Sequence, residues 1–379
     1  MREDLEKPGK FAPDPERQQK AREYGRIVRR GSFMTPAIGA VVLLVLLLTP
    51  ASIALADILA VPFPWSAALY LLVLATGYEL IVAPLGYYYG FVLPHRYGLL
   101  RQGLAEWLRD KAKGLGLQML LGLALITIVY WLIGSVPALW WLVAAGIMLL
   151  GSLILTWLTP TLLIPLFYKL KPLENEELKN RLVDLAGRAG VDIVECLTMN
   201  LSSKATTANA MLTGWGKSRR LILTDTLLDG YSQDEIEVTL GHELGHRVHQ
   251  DIPRLIGIQV AAFLLAFYLA NLALRVGVDW FSLGGTSDIA GIPWLILVLA
   301  LVMFVLQPAI NWYSRRAETE ADETALTLTN KPQAFITLMT RLTDQNLNEA
   351  EPSRWAKLLF YDHPTYNDRI KLARSHISH

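Results

Sequence analysis

Ser232-Gln233-Asp234-Glu235-Ile236-Glu237-Val238-Thr239-Leu240-Gly241-His242-Glu243-Leu244-Gly245-His246 decides how the rest of this chain is read. Ser232 followed three residues later by Glu235 is a capping box, in which each residue satisfies a backbone N–H that the first helical turn leaves bare. A helix therefore starts there, and we expect it to run to about His249. On it, His242 and His246 stand at i and i+4, one turn apart on one face. Two imidazoles so placed can reach one ion at about 2 Å. Glu243 lies beside them, placed to take a proton from a hydrolytic water. A His-Glu-x-x-His string also arises by chance in long proteins. The capping box and helical setting favour catalytic zinc over a structurally satisfied pair of histidines.

Outward from this helix the chain turns apolar. Of 379 residues, 53% are hydrophobic and 18% charged, a balance unlike that of a soluble protein of this length. Six runs are long enough to span a bilayer, which takes about 20 residues. They are roughly Met34–Ala56, Trp65–Tyr89, Leu115–Gly134, Ala138–Pro160, Leu255–Leu274 and Ile292–Trp312, and the second alone carries a charge, Glu79. A charge inside a span is costly and usually faces a cavity. Pro160 and Pro165 are expected to break the apolar stretch that continues to Tyr168. Tyr87, Tyr88, Tyr89, Trp140 and Trp141 read as an interfacial belt.

Loop charge sets the expected topology. Nine Lys or Arg residues precede Met34, and Arg96, Arg101, Arg109, Lys111 and Lys113 lie between spans two and three. The alternate loops carry none, apart from Arg275 at one edge. The positive-inside rule then places both termini and the long loop after span four in the cytoplasm. The expected organisation is a charged cytoplasmic tail over 1–33, partly disordered, and a membrane region of about four spans over 34–168. A cytoplasmic catalytic part follows over 169–254, then a transmembrane hairpin over 255–312 and a second catalytic part over 313–379. Strand-like runs lie at Val194–Leu201, Ala210–Trp215 and Arg220–Thr224, with a hairpin turn at Gly216-Lys217-Ser218.

Composition narrows the chemistry. A net charge of +1 argues against nucleic acid as a partner. The single cysteine, Cys196, excludes an intramolecular disulfide and a thiolate zinc cluster, and its strand-like setting reads as packing. Any metal must use His and carboxylates. A metzincin pattern would need Gly at 249 and His at 252, where this chain has His249 and Ile252, and His249 reads as a surface histidine. The topology offers a carboxylate instead. The hairpin that follows His246 returns to the same membrane face near Trp312, just before Glu318 and Asp322. These two are i and i+4, whereas Glu320 points elsewhere. Glu318 is thus the expected third ligand of one Zn2+, with Asp322 orienting a zinc histidine. Alone, the same run would read as a solvated charged helix. Three protein ligands leave a position open, which is the catalytic arrangement. His363 and Arg369 are candidate oxyanion donors, and spacing alone singles out neither.

These residues resemble the zinc-dependent type 1 CAAX prenyl endopeptidases and, more distantly, the HtpX-like membrane proteases. The resemblance runs from about Tyr87 to Arg369. It includes Phe91-Val92-Leu93-Pro94-His95-Arg96-Tyr97-Gly98-Leu99, Ile164-Pro165-Leu166-Phe167, Asn209-Ala210 and Ile222–Leu228. The His242–His246 helix, Ser314-Arg315 with Glu318, Ala321-Asp322 and His363-Pro364 complete it. Where a second proline often follows His-Pro, this chain has Thr365, and it shows six spans where eukaryotic members have seven.

The resemblance implies a predominantly α-helical integral membrane protein whose spans enclose a chamber, joined to a gluzincin-like α+β zinc protease domain. It implies Glu318 as ligand, Asp322 behind the histidines, His363 and Arg369 near the catalytic centre, and substrate pairing along the strand at Asn209 and Ala210. The expected function is endoproteolysis of membrane-associated or prenylated polypeptides at the cytoplasmic face of a bilayer, the cell membrane in a bacterium or the endoplasmic reticulum in a eukaryote. Two alternatives stand beside it: quality-control cleavage of damaged membrane proteins, and a transporter or receptor with a vestigial zinc site.

Overall fold

A computed structural model describes residues 12–214 and 219–377. Helix α1 (Pro15–Leu48) begins on an Asp14 cap, whose carboxylate accepts from the Arg17 N–H, with Pro15 at its first position. It is followed by the short α2 (Ala51–Ile58) and by α3 (Trp65–Tyr87), which passes through a π-turn into α4 (Leu93–Arg96). Next come α5 (Leu104–Ser135) and α6 (Trp140–Leu158), the latter passing through a second π-turn into α7 (Ile164–Phe167). Among the described residues six helical segments are long and apolar enough to cross a membrane, the number expected. Leu80, Leu120, Trp157 and Val305 are each 65% exposed or more, which suits side chains whose solvent is lipid.

Four expectations need correction. Pro160 and Pro165 do not break the fourth span, because the π-turn over Thr159–Leu163 carries the helix past them to Phe167. The first span ends at Leu48 rather than Ala56, where Pro50 separates α1 from α2. Trp140 is no belt residue: it is buried, and its indole N–H donates to Asn271 inside the bundle. The segment before Met34 is not a disordered tail from residue 15 onward. It is the first half of α1, and it packs on the C-terminal part. The expected hairpin turn at Gly216-Lys217-Ser218 lies outside the described residues. Glu79 is paired with Lys111 of α5 at 3.4 Å.

The non-membrane part is α+β. Strands β1 (Leu170–Pro172), β2 (Glu195–Met199), β3 (Ala210–Thr213) and β4 (Arg220–Thr224) form one sheet in the order β1-β2-β4-β3. The β2–β4 pair is parallel and the other two are antiparallel, so β3 is an edge. Cys196 is buried in β2, as packing required. Helix α8 (Glu176–Arg188) lies between β1 and β2 in the chain, and α9 (Asp225–Gly230) and α10 (Gln233–Val248) follow β4. Leu182, Leu221, Leu223, Leu244 and Phe335 make a fully buried core between sheet and helices.

Two long helices then carry the chain into the membrane and back: α11 (Asp251–Trp280) and α12 (Ile292–Thr329). Helices α13 (Pro332–Gln345), α14 (Arg354–Phe360) and α15 (Tyr366–Ile377) close the fold. Thr365 accepts from the Asp368 N–H and Asp368 from the Thr365 N–H, so the residue that departs from the family's proline caps α15.

Candidate metal centre

The capping box of α10 is formed as the sequence predicts. What the sequence did not show is why α10 and α12 lie so close. Gly241 and Gly245 are i and i+4 on α10. A Cβ on Gly245 would stand 2.6 Å from Ala321 Cα, and one on Gly241 would stand 3.2 Å from Ala325 Cα. Each glycine costs a helix about 1 kcal/mol relative to alanine. Here the missing side chains let the two backbones touch.

That approach brings the first three candidate residues together. Glu318 Oε2 lies 3.2 Å from His242 Nε2, and Glu318 Oε1 lies 3.4 Å from His246 Nε2. One donor atom from each of the three lies within 4.8 Å of the others. Ligands about 2.0–2.1 Å from a tetrahedral zinc stand roughly 3.3 Å apart, so the two measured spacings suit that ion. Glu318 is buried, and its Oε2 accepts no hydrogen bond with acceptable geometry. A buried carboxylate oxygen left without a donor is costly unless a cation meets it. Two imidazole nitrogens and that oxygen are a zinc donor set.

The far nitrogen of each histidine is also held. His242 Nδ1 meets Asp322 Oδ1 at 2.8 Å, and Asp322 is fully buried. Arg369 Nε donates to Asp322 Oδ2 at 2.7 Å, and its guanidinium lies over the Phe335 ring. His246 Nδ1 meets Asp251 Oδ2 at 2.8 Å. Asp251 escaped the sequence analysis. Gln250 adopts a left-handed conformation, φ 56°, which ends α10 and swings the first residue of α11 back under His246. An acidic residue five positions after the second histidine, at the start of a new helix, was the available signal.

Glu243 points along the other side of the motif, toward the edge strand. Its Oε2 accepts the Leu212 N–H at 3.2 Å. Burial pushes its carboxyl above the usual range, opposed by His242, His246 and that N–H. In the absence of metal, burial lowers the His242 pKa, but the hydrogen bond to Asp322 and the nearby Glu318 carboxylate outweigh it and raise it to about 10.

His363 Nε2 reaches Glu318 Oε1 at 3.4 Å, and its Nδ1 meets Asp362 at 2.7 Å. That hydrogen bond to Asp362 raises the His363 pKa, against the opposing effect of burial. Arg369 is committed to Asp322 instead of facing open space. Asn209 is exposed, and its carboxamide accepts the Ala210 N–H at 2.9 Å. The Asn209 carbonyl faces β4 by accepting from Thr224, so Ala210 and Leu212 alternate onto the free edge of β3. His249, half-buried against Thr324 at 2.9 Å, stands outside the ligand cluster.

A cavity of about 580 Å3 opens beside His242, Glu243 and His363. Its far wall is α1, through Tyr24, Val28 and Arg29. That wall is tied to the C-terminal part by a partly buried ion pair of Arg29 with Glu349. Gln18 adds bonds to the Asn348 carbonyl at 3.2 Å and from the Ala350 N–H at 2.9 Å. Gly25 makes the approach possible, since a Cβ there would collide with the Glu349 carboxylate.

Residues 172–377 match the model of peptidase family M48, and residues 5–169 match that of the CAAX prenyl protease N-terminal region, described as five membrane helices. Here that region holds four long helices and the short α2. The chain is 28% identical to the uncharacterized metalloprotease YhfN of Bacillus subtilis (strain 168), over 83% of this chain and 75% of that one. It is 27% identical to the CAAX prenyl protease 1 homolog of Oryza sativa, over 76% and 68%. With CAAX prenyl protease 1 of Saccharomyces cerevisiae it shares 26%, over 77% and 68%. The crystal structure of S. mikatae Ste24p has the same fold, with a TM-score of 0.84 at 24% identity, covering 97% of this chain and 92% of that one. A family match across more than half the chain, on a six-helix membrane scaffold, leaves no place for a transporter or receptor with a vestigial site. The chain belongs to peptidase family M48, and it is a membrane zinc metalloprotease of the CAAX prenyl protease family.

Proposed function

We propose that this protease binds one Zn2+ through His242, His246 and Glu318 and cuts membrane-associated polypeptides, prenylated ones among them, at the cytoplasmic face. The observation that carries the reading is the Glu318 carboxylate, buried between two imidazole nitrogens with one oxygen unbonded. Zinc in this pocket supplies an acidified water and a polarised scissile carbonyl. Glu243 takes a proton from the attacking water and returns it to the leaving amine. Burial raises its pKa, which strengthens it as a base. The substrate strand lies along β3, paired with the outward groups of Ala210 and Leu212 beside Asn209. Such pairing draws the Leu212 N–H away from Glu243 and frees the carboxylate to act.

His363 is the oxyanion donor in this reading. The bond to Asp362 favours its protonated form, and it lines the cavity. Arg369 is a positioning residue that fixes Asp322, which fixes His242, and Asp251 does the same for His246. Substrate reaches the centre through the cavity walled by α1. The basic loops favour a cytoplasmic site, and the names of the rice and yeast relatives favour prenylated substrates.

The test is purified protein with farnesylated and unlipidated versions of one peptide, cleavage read by mass spectrometry. Cleavage in the wild type and its loss by about 10³-fold or more in Glu243→Gln with zinc retained is the expected result. Equal rates for both enzymes would sink the mechanism. Equal rates for both peptides would remove prenyl recognition and favour the quality-control reading.

A further inference from the structure

On the outer surface, α11 and α12 part to leave a crevice of about 560 Å3. Its lining changes character along the helices. Arg254 stands just before the apolar run of α11, and Tyr313 and Arg316 just after that of α12, so all three lie at the depth of lipid headgroups. Gly257, Ile258 and Ala261 line the part that continues into the apolar zone. Small residues on facing helices usually let the helices close up. These do not: a Cβ on Gly257 would meet nothing within 4 Å.

The lining of the polar part carries two arginines and one carboxylate. Glu320 takes one arginine on each oxygen, Arg254 at 2.9 Å and Arg316 at 3.2 Å. Arg254 also stands 3.6 Å from Asp251. Glu320 holds the two guanidiniums in place, and Asp251, bonded to His246, stands behind Arg254 rather than in the lining. Each guanidinium has five N–H donors, and the two side chains are 49% and 66% exposed. A cationic mouth over an apolar slot between transmembrane helices is the shape that receives a lipid bearing a negative phosphate.

We propose that this crevice binds one anionic phospholipid, its phosphate on Arg254 and Arg316 and an acyl chain along Gly257, Ile258 and Ala261. A zwitterionic lipid has the same phosphate, but it brings no net negative charge to the two exposed guanidiniums.

The full chain in nonionic detergent, titrated with phosphatidylglycerol and read by native mass spectrometry, should retain one lipid. Phosphatidylcholine should be retained far less, and soluble glycerol phosphate not at all. Arg254→Gln with Arg316→Gln should weaken phosphatidylglycerol binding about thirtyfold. Ala261→Trp, which fills the slot and leaves the arginines in place, should weaken it as well. Equal retention of the two lipids overturns the proposal. So does binding of glycerol phosphate as tight as that of the lipid, or unchanged binding in either variant.

Discussion

His242 and His246 sit one turn apart on one helix, yet their supports are built in opposite ways. The carboxylate behind His242 comes from 80 residues away, and the arginine that grips it from 47 residues further on. The carboxylate behind His246 comes from five residues away, across one left-handed turn. The first support exists only when α10, α12 and α15 have docked. The second exists once a helix has ended and another has begun. One metal centre thus joins a tertiary half to a local half, and Glu318 bridges them.

The largest expected effect comes from separating the halves. In Gly245→Ala the added carbon would meet the Ala321 backbone, at 2.6 Å from Cα and 2.9 Å from the carbonyl oxygen. Helix α12 must shift, carrying Glu318 and Asp322 but not Asp251. A misplacement of that kind costs on the order of 10²-fold in rate, and overpacking about 1–3 kcal/mol. Zinc content by elemental mass spectrometry and peptide cleavage should fall together. A variant with full zinc and full activity would show that the backbone contact is dispensable.

Next come the two carboxylates, compared directly. Asp322→Ala leaves Arg369 buried without its partner, which costs about 3–5 kcal/mol, and should weaken zinc binding about 10–100-fold. Asp251→Ala should weaken zinc binding by a similar factor while moving the thermal midpoint little, because the arginine beside it, Arg254, is 49% exposed. Chelator competition and thermal unfolding on the pair read both quantities. An equal loss of thermal stability in the two variants would erase the distinction.

A smaller effect separates the halves by pH. Folding raises the His242 pKa to about 10 in the metal-free protein. The imidazolium therefore stabilises the metal-free fold fully at pH below its unfolded value of about 6.5, and that contribution fades as pH rises through about 10. Zinc needs the neutral ring, so proton and metal compete. Apparent zinc affinity should climb with pH across this window, by up to about tenfold per unit. Asp322→Asn, which removes the main support of the charged form, should flatten that climb, whereas Asp251→Asn should leave it. Identical pH slopes in the two variants would show that His242 is not the competing site.

The contrast also explains what the sequence could reveal. Helix α10, its cap and the two histidines were legible because they are local. Six spans were legible because lipid imposes a composition. Glu318 and Asp322 were reached through topology, since a hairpin must return its second end to the side it left. Asp251 was as local as the cap, but the turn at Gln250 is a left-handed glutamine, and no common pattern marks it. The role of α1 was invisible for a different reason. Charge and Pro content in residues 15–33 describe a solvated tail equally well, and only contact with Glu349 and Asn348 makes it a wall. Trp140 was misread because an aromatic at a span end is usually interfacial, and here a buried Asn271 takes its N–H.

That wall has a consequence for how the protein is made. The Asp14 N–H bonds to Asp344, 330 residues later. A ribosome finishes the first half of α1 some 330 residues before its partner. The membrane helices can insert, and α10 can form, while the cavity still lacks one side. A chain stopped before about residue 350 would be a membrane protein carrying His242 and His246 with no closed chamber beside them. A chain begun at Met34 would have the same opening from the other direction. Both α1 and the segment around Glu349 are required before the cavity is closed.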